Sequence, residues 1–371
     1  MHDTSGAYVI AAGKTGGHIF PGIALAREIR RRRPDAPIVF VGTAEAGGLE
    51  TRLVPEAGFP LERVHAAGFV GKPLFAKARA LAGLPRGFFE ARRILRRHRA
   101  RAVAGMGGYV SLPVLAAARS LRIPTLIHDS DALPGLASRI LNRFATRTAL
   151  GLAAARDRMT RPASVTGTPV RPEFFEIPPV DAGATGRRAR LLVFGGSQGS
   201  VVLNRAVAKA AAGLAGDPID VLHQTGEKHL AATRALYGSL PAGWTLEPFL
   251  PRLWEPLGNA DLVVARAGAM TLAELAAAGR GAVLVPFAAA AHGHQLVNAL
   301  AFSREGAAEV IREGELDGDG LADAIRRLIA DRPRLAAMGA AARALAAPDA
   351  AARLADLLFE AEAPAGAGGA A

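Results

Sequence analysis

The stretch Ala11-Ala12-Gly13-Lys14-Thr15-Gly16-Gly17-His18-Ile19-Phe20-Pro21-Gly22 decides how this chain folds. It follows a short apolar run that begins at Tyr8, so the pattern predicts a strand, a glycine-rich turn and a helix with Pro21 at a first helical position. Glycines let such a turn approach a ligand closely, and peptide N–H groups at a helix N-terminus favour an anion or an oxygen-rich group. The stretch therefore predicts a ligand-facing turn, with His18 where the turn opens into the helix.

Two phosphate-binding motifs compete for this turn, and neither fits. The tripeptide Gly13-Lys14-Thr15 suggests a P-loop, but that motif needs a glycine five positions earlier, where the chain has Tyr8. The dinucleotide pattern G-x-G-x-x-G fails because Gly13, Gly16 and Gly17 have the wrong spacing. What remains is a ligand-facing turn that carries a histidine.

The composition predicts a globular protein with a large core. The chain has 371 residues, half of them hydrophobic, which is enough for two domains of ordinary size. Its longest apolar run, Gly281–Ala291, is shorter than the roughly 18 residues of a membrane-spanning helix. The absence of cysteine excludes disulfides, thiolate metal sites and cysteine nucleophiles.

Charge is distributed unevenly along the chain. Residues 1–165 contain 26 Lys and Arg against 11 Asp and Glu, whereas the remainder contains 19 against 22. A basic first half indicates an anionic partner, either nucleic acid or an acidic membrane surface. Aromatic residues make up only 5% of the chain, too few for a base-stacking surface, so a membrane is favoured and no nucleic acid is expected.

Residues 68–101, called the basic segment below, interleave large apolar side chains with lysines and arginines. This pattern is typical of a helix that lies on a membrane surface. It is equally typical of an amphipathic pair, Leu74–Leu84 and Gly87–Arg99, that packs on a sheet with its arginines in water. Both interpretations can hold, because they concern different faces of the same helices.

Strand and helix patterns alternate along both halves, which predicts α/β domains with parallel sheets. In the first half, loops at 13–18, 105–111 and 128–135 each follow a strand. Ligands bind where loops leave the carboxyl ends of parallel strands, so these three loops should converge on a cleft. In the second half, Gly195–Ser200 and Arg266–Ala269 repeat the arrangement of strand, turn and helix.

Two D-x-D sequences raise the question of a metal. Asp129-Ser130-Asp131 lies in the third loop of the first half, but this spacing alone is weak evidence, and polar contact with a substrate hydroxyl or amide is favoured over a cation. Asp317-Gly318-Asp319 precedes a stretch, Gly320–Ala347, that is predicted to be helical, and therefore indicates an N-cap and turn.

Glu274 lies in the first turns of a helix predicted over Met270–Ala278. Its carboxylate either stabilises the helix N-terminus or binds the two hydroxyls of a ribose. An anion at that N-terminus gains about 0.3–2 kcal/mol from the helix dipole, which favours a pyrophosphate without a metal. Further along the chain, Gln295 and Asn298 share one helix face and either read sugar hydroxyls or form a solvated first turn.

Several of these loops together resemble one family, the MurG family of peptidoglycan N-acetylglucosaminyltransferases. The resemblance covers residues 8 to 345 and implies a glycosyltransferase B fold, which consists of two Rossmann-like α/β domains with parallel sheets facing a cleft. The predicted domains are 1–166 and 167–345, with a last helix at about 346–362 that returns to the first domain and a disordered tail at 363–371. The matching motifs are Thr15–His18 with Phe20–Gly22, Gly105–Ser111, Gly195–Gly199, Arg266–Ala269 with Thr271 and Glu274, and His294-Gln295 with Asn298-Ala299.

The resemblance implies UDP-N-acetylglucosamine as the donor and undecaprenyl-pyrophosphoryl-N-acetylmuramoyl-pentapeptide (lipid I) as the acceptor, which would enter near Tyr109. By position, the Leu250 backbone would meet the uracil, Glu274 the ribose and Gln295 the sugar. Ser197, Arg171 and the amides from Gly268 to Met270 would hold the pyrophosphate. The implied substrate-binding residues are Thr15, Gly16, Gly17, Tyr109, Asp131, Arg171, Ser197, Leu250, Gly268, Ala269, Met270, Thr271, Glu274 and Gln295.

The chain departs from the family's usual motifs at two places. Lys14 stands where the family usually has a second glycine, which puts a cation beside the diphosphate region. His128-Asp129-Ser130-Asp131 stands where the family usually has His-Glu-Gln-Asn, so Asp131 replaces an amide expected near the N-acetyl group of the sugar.

The predicted reaction is an inverting transfer of N-acetylglucosamine to the C4 hydroxyl of lipid I, without metal or cofactor, by a peripheral protein at the cytoplasmic face of the plasma membrane. An inverting displacement needs a base for the acceptor proton and a stabilised leaving group. His18 is the candidate base, and Asp129 either replaces it or orients it. A related UDP-sugar:lipid transferase and a UDP-N-acetylglucosamine 2-epimerase remain as alternatives, and the basic segment favours a transferase because an epimerase has no need of a membrane.

Overall fold

The computed structural model divides the chain into two compact units. Unit 1 comprises Met1–Pro169 with Asp349–Ala371, and unit 2 comprises Val170–Pro348. The predicted disordered tail at 363–371 and the start of the basic segment, 68–73, lie outside the described residues. The structure describes residues 6–44, 48–66, 74–181, 183, 186–290 and 293–362, with the backbone alone at 74–82.

Unit 1 is built on one parallel sheet of seven strands. The strands are β1 (Tyr8–Ala11), β2 (Ile38–Thr43), β3 (Leu61–Val64), β4 (Ala102–Gly105), β5 (Thr125–Asp129), β6 (Arg147–Leu150) and β7 (Ser164–Val165). They are arranged in the order β3-β2-β1-β4-β5-β6-β7. The order reverses between β1 and β4, so the loops that follow these two strands flank the crevice where such sheets bind ligands.

Helices cover both faces of this sheet, because alternate residues of its central strands are apolar and fully buried. Tyr8 and Ile10 face one core cluster, and Val9 and Ala11 face the other. The helices of the first part of the chain are α1 (Gly16–Arg32), α2 (Glu50–Glu56), α3 (Leu74–Arg97), α4 (Ser111–Ser120) and α5 (Leu136–Asn142).

Unit 2 repeats this architecture with six parallel strands in the order β10-β9-β8-β11-β12-β13, which reverses between β8 and β11. The strands are β8 (Ala189–Phe194), β9 (Ile219–Gln224), β10 (Trp244–Glu247), β11 (Leu262–Ala265), β12 (Ala282–Leu284) and β13 (Ala308–Val310). The helices are α6 (Val201–Leu214), α7 (Leu230–Tyr237), α8 (Trp254–Asn259), α9 (Ala269–Ala278), α10 (His294–Arg304), α11 (Gly318–Ala330) and α12 (Arg332–Ala344).

The last helix, α13 (Ala350–Glu362), belongs to unit 1. Its Leu354 and Leu358 join the same core cluster as Tyr8. The Tyr8 hydroxyl donates to Glu362 Oε2 at 2.7 Å, and the same carboxylate pairs with Arg33 Nη1 at 2.7 Å. The apolar face of α13 and a half-buried ion pair thus attach this helix to unit 1 beside the first strand.

The stretch Gly320–Ala347, predicted to be helical, forms two helices, α11 and α12, which meet at Asp331. The Asp331 carboxylate caps α12 by accepting from the Arg334 N–H at 3.0 Å. Pro333 lies in the first turn of α12 and has no N–H to continue the preceding helix. The predicted N-cap at Asp317 is confirmed, since its Oδ1 accepts from the Gly320 N–H at 2.7 Å.

Leu74–Arg97 of the basic segment form one helix, α3, where one of the two interpretations predicted a pair, Leu74–Leu84 and Gly87–Arg99. Pro85 lies inside it and removes a single backbone hydrogen bond, while Ala91, Ile94 and Leu95 bury the inner face against the sheet and so hold the helix together. Pro21 is likewise internal, because α1 begins at Gly16. Within the part of the chain that the structure describes, no helix is long and apolar enough to cross a membrane.

Candidate active site

The turn between β1 and α1 is held from below by a buried carboxylate. The Lys14 N–H donates to Glu50 Oε2 at 2.8 Å, and the Thr43 N–H donates to Glu50 Oε1 at 3.2 Å. Glu50 is completely buried. One side chain from α2 therefore fixes the turns that follow two neighbouring strands, a role that the sequence did not reveal.

Lys14 has a backbone φ of 72°, in the left-handed region that glycine adopts without strain. The Glu50 hydrogen bond holds the residue in this conformation, and the lysine side chain is exposed. A glycine at this position, which the resemblance implies, would adopt the same backbone conformation without strain. The lysine here is accommodated at a cost in strain.

His18 lies in the first turn of α1, with Nδ1 at 3.3 Å from the Thr15 hydroxyl. Its ring packs against the loop after β4, where Gly107 and Gly108 have φ values of 84° and 71°. A Cβ at Gly107 would lie 3.0 Å from His18 Cδ2, and one at Gly108 would lie 3.2 Å from His18 Cε1. The two glycines therefore give the imidazole room to lie flat on the backbone.

The third loop of unit 1 meets the other two at the same edge of the sheet. A Cβ at Gly107 would also lie 3.6 Å from the His128 carbonyl oxygen. The predicted convergence of the three loops is thus confirmed. It brings together the candidate residues Thr15, Gly16, Gly17, His18, Tyr109, Asp129 and Asp131, of which Thr15 is exposed and Tyr109 and Asp131 are half-buried.

Asp129 is buried, and its carboxylate is engaged by its own loop. Oδ1 accepts from the Asp131 N–H at 3.0 Å, and Oδ2 accepts from the Gly135 N–H at 3.1 Å. Burial, with the charge of Asp131, raises the pKa of Asp129 to about 6, although hydrogen bonds from Ser138 and from the backbone act in the opposite direction. These contacts give Asp129 a function in holding the loop.

His128 is also buried, and burial lowers its pKa to about 4, with a further contribution from nearby His18. The ring is therefore neutral at pH 7, and its Nε2 donates to the Gly167 carbonyl at 3.2 Å. In the described parts of both units, no cluster of three His, Asp or Glu side chains has the arrangement of a metal site.

In unit 2, the loop after β8 is fixed by residues at the ends of the neighbouring strands β9 and β10. A Cβ at Gly199, which has a φ of 72°, would overlap the Thr225 carbonyl. The buried Gln224 accepts from the Gly195 N–H at 3.3 Å and donates to the Pro248 carbonyl at 3.2 Å. Ser197 is exposed on this loop, and half-buried Leu250 follows Pro248 on the next.

The turn after β11 presents the N-terminus of α9. Gly268 is its N-cap in an extended conformation and has no side chain to cap the helix, and Ala269, Met270 and Thr271 follow in the first turn. The peptide N–H groups of such a turn favour an anion. Gly268, Ala269 and Met270 are half-buried, and Thr271 is buried.

Arg266 holds this turn against two other loops of the same sheet edge. Its Nε donates to the Ser200 hydroxyl at 2.9 Å, and its Nη1 donates to the Val285 carbonyl at 3.1 Å and pairs with Glu313 at 2.7 Å. Burial lowers the pKa of Arg266, while Glu313 opposes this effect. The sequence placed Arg266 in a motif but assigned it no role.

Glu274 is buried in the second turn of α9, and burial raises its pKa to about 7. Arg171 opposes this effect, since its Nη2 lies 3.7 Å from Glu274 Oε1. Arg171 Nη1 also donates to the Pro251 carbonyl at 3.3 Å. The guanidinium therefore joins Glu274 to the loop that carries Leu250.

Gln295 is in the first turn of α10, where its Oε1 accepts from the Phe287 N–H at 2.9 Å. This bond leaves Nε2 as the end of the amide that can donate to a ligand. Asn298, one turn further on, is buried and donates to the Ala267 carbonyl at 3.2 Å. Unit 2 thus collects Arg171, Ser197, Leu250, Gly268, Ala269, Met270, Thr271, Glu274 and Gln295 along the carboxyl edge of its sheet.

Each unit thus has a parallel sheet with such loops at its carboxyl edge. Residues 8–150 and 190–354 match the N-terminal and C-terminal domains of glycosyltransferase family 28, which makes the chain a glycosyltransferase. Two relatives share the name UDP-N-acetylglucosamine--N-acetylmuramyl-(pentapeptide) pyrophosphoryl-undecaprenol N-acetylglucosamine transferase. The relative from Syntrophotalea carbinolica is 42% identical over 93% of this chain and 96% of its own length. The one from Methylococcus capsulatus is 42% identical over 95% and 98%. The chain belongs to this family of glycosyltransferases.

Solved structures agree with this assignment. The crystal structure of Acinetobacter baumannii MurG is 29% identical, with a TM-score of 0.78 over 96% of this chain and 99% of that one. A calicheamicin glycosyltransferase, at 18% identity and a TM-score of 0.68, shares the fold alone. The fold class predicted from the sequence, two α/β domains with parallel sheets, is confirmed.

The strain at Lys14 can be measured by comparing Lys14→Gly with Lys14→Ala. Both variants remove the ammonium group, but only glycine relieves the left-handed backbone, so Lys14→Gly should be more stable than Lys14→Ala by about 1 kcal/mol. Denaturant unfolding of the two proteins gives this difference. Equal stabilities would show that residue 14 carries no strain in solution.

Proposed function

We propose that this glycosyltransferase moves N-acetylglucosamine, with inversion, from UDP-N-acetylglucosamine to the C4 hydroxyl of lipid I, which yields lipid II. The observation that carries the proposal is the match to relatives of that name at 42% identity across 93% or more of the chain. The arrangement of each unit supports it. Unit 2 offers a buried carboxylate beside an uncapped helix N-terminus, and unit 1 offers a histidine on glycine-rich loops.

Donor binding is assigned to unit 2. The Glu274 carboxylate accepts from the two ribose hydroxyls, since it is buried near the Leu250 loop, whose backbone meets the uracil. The N–H groups at the start of α9, with Ser197, receive the pyrophosphate and stabilise UDP as it leaves. Gln295 donates through Nε2 to a hydroxyl of the sugar, because its Oε1 is already engaged.

The acceptor proton is assigned to His18. In an inverting displacement the acceptor oxygen forms a bond to the sugar C1 as the bond from C1 to UDP breaks, and a base takes the hydroxyl proton. Asp129 is poorly suited to this task, because both of its carboxylate oxygens accept from backbone N–H groups of its loop. His18 lies instead at the meeting point of the loops after β1 and β4.

The outer face of α3 is assigned to an anionic membrane at the cytoplasmic side, where a lipid-linked acceptor is reached. Phe89 is 66% exposed, and Arg86 and Arg93 lie three and four residues from it on the same face. Arg96 extends this face by a further turn and is exposed. An aromatic ring among arginines combines apolar insertion with attraction to anionic headgroups.

The transfer is tested with purified protein, radiolabelled UDP-N-acetylglucosamine and a lipid I analogue. We expect labelled lipid product only when the analogue is present, and retained activity in excess EDTA. Formation of UDP-N-acetylmannosamine in the absence of an acceptor would identify an epimerase and contradict the proposal. Activity that returns only with added Mg²⁺ or Mn²⁺ would contradict the metal-independent mechanism.

The base is tested with His18→Ala. We expect kcat to fall by about 10²–10⁴-fold, as for the loss of a general base, with the KM for the donor within threefold because the donor groups lie in unit 2. His65→Ala, which removes a half-exposed histidine of unit 1 outside the three loops, serves as the control and should stay within twofold. Near-normal turnover by His18→Ala with an unchanged pH profile would remove His18 from this role.

Membrane attachment is tested by sedimentation with vesicles that contain anionic lipid. Phe89→Ser should weaken binding by roughly tenfold, because it removes an aromatic side chain that inserts, and added salt should weaken binding further. Leu236→Ser, at a residue of unit 2 that is 51% exposed, is the matched control and should bind like the unchanged protein. Equal binding to neutral and anionic vesicles would contradict the electrostatic part of the assignment.

A further inference from the structure

Trp254, which opens α8, presents its indole ring to Arg171. The Arg171 Cζ atom lies 4.3 Å from the centroid of the ring, within the range of a cation–π contact. On the core side, the indole meets the ring of Phe174 edge-on, with centroids 6.1 Å apart. Phe174 is completely buried in the core of unit 2, so the indole is held in place by the fold.

Several contacts position the Arg171 guanidinium. They include the indole face of Trp254, the Phe174 ring with its centroid at 5.1 Å, the Pro251 carbonyl at 3.3 Å and the Glu274 carboxylate at 3.7 Å. An arginine side chain loses up to about 2 kcal/mol of rotamer entropy when it is fixed, and a planar aromatic surface suits its planar head group. Of the two aromatic rings, the indole is the nearer, with its centroid at 4.3 Å against 5.1 Å for Phe174.

The position of Arg171 matters because Glu274 is buried and would otherwise favour its neutral form. Several segments packed against α9 carry charged groups, among them Glu173, Glu255 and Arg343. Glu255 pairs with Arg252 at 2.8 Å, and Arg343 donates to the Phe175 and Ile177 carbonyls. Among the described residues, Arg171 is the one whose charge lowers the pKa of Glu274.

We propose that Trp254 is a positioning residue for donor binding, which holds Arg171 beside Glu274 so that Glu274 meets the ribose as a carboxylate. The inference rests on the proposed function, because it assumes a UDP-sugar in unit 2. A neutral carboxyl group would use one oxygen as a donor and could not accept from both ribose hydroxyls equally well. An ionised Glu274 accepts from both.

The sign of the pH effect follows from these contacts. Without the indole, Arg171 loses one of the contacts that hold it beside Glu274, and the pKa of Glu274 rises further above its value of about 7. The neutral fraction at pH 6.5–7 then increases and donor binding weakens. At pH 8.5 Glu274 is ionised to a greater extent with or without its partner, so the loss becomes smaller.

The test is calorimetric binding of UDP-N-acetylglucosamine, without acceptor, at pH 6.5, 7.5 and 8.5. We expect Trp254→Leu to raise Kd about tenfold at pH 6.5 and by less than threefold at pH 8.5. Trp254→Phe, which keeps an aromatic face, should stay within threefold throughout. Trp244→Phe is the matched control, because it changes the other tryptophan of the chain, which is buried on β10, and should leave Kd unchanged.

Each outcome separates this inference from the proposed function. An unchanged protein that fails to bind UDP-N-acetylglucosamine would contradict the proposed function itself. Binding by the unchanged protein with the same Kd for Trp254→Leu at every pH would overturn the role of Trp254. A loss of equal size at all three pH values would indicate a structural role only. If Trp254→Leu melts at a lower temperature, Trp254→Met, which retains volume without an aromatic face, replaces it in the same titration.

Discussion

In the loops at the carboxyl edge of a parallel sheet, backbone groups have no neighbouring strand as a hydrogen-bond partner. In both units of this protein, buried polar side chains form hydrogen bonds with such backbone groups. Glu50 and Asp129 accept from backbone N–H groups in unit 1, and Gln224 bonds to two loops at once in unit 2. An unpaired buried group of this kind costs about 1–3 kcal/mol. The glycine-rich turns can therefore be both accessible and rigid, because buried side chains under them hold their backbone in place.

Elements with one strong pattern could be predicted from the sequence almost to the residue. The helix predicted over Met270–Ala278 is α9, Ala269–Ala278, and the last helix, predicted at about 346–362, is α13, Ala350–Glu362, which has an apolar face and follows a proline. The structure differs from the sequence pattern at two places. At one, the apolar periodicity continues across the boundary between two helices; at the other, a proline interrupts the pattern inside a single helix. Asp331 interrupts an apolar periodicity that runs on through α12, and Pro85 does not interrupt α3, because tertiary packing outweighs the loss of one hydrogen bond.

The candidate binding residues could be found in the sequence because glycines and histidines in strand–turn–helix patterns are conspicuous. The residues that hold them were not visible. Glu50 accepts a hydrogen bond from the backbone of a turn 36 residues earlier in the chain. Because nearly any residue type can supply a backbone N–H, the sequence carries no sign of this pairing. The contact of Trp254 could not be predicted either, because its partner Arg171 lies at the start of unit 2 and the two residues meet only in the folded chain. Such contacts follow from topology rather than from local pattern.

Asp129 and Glu274 are both buried carboxyl groups with raised pKa values, but their hydrogen-bond partners differ. The oxygens of Asp129 accept from two backbone N–H groups, so its polar capacity is used within the protein. In the described part of unit 2, Glu274 pairs with Arg171 at 3.7 Å, a distance longer than a hydrogen bond. Its carboxylate oxygens therefore keep the capacity to accept hydrogen bonds from a ligand. Under the proposed function the two hydroxyls of a ribose use this capacity, and for this reason we assign donor binding to Glu274 rather than to Asp129.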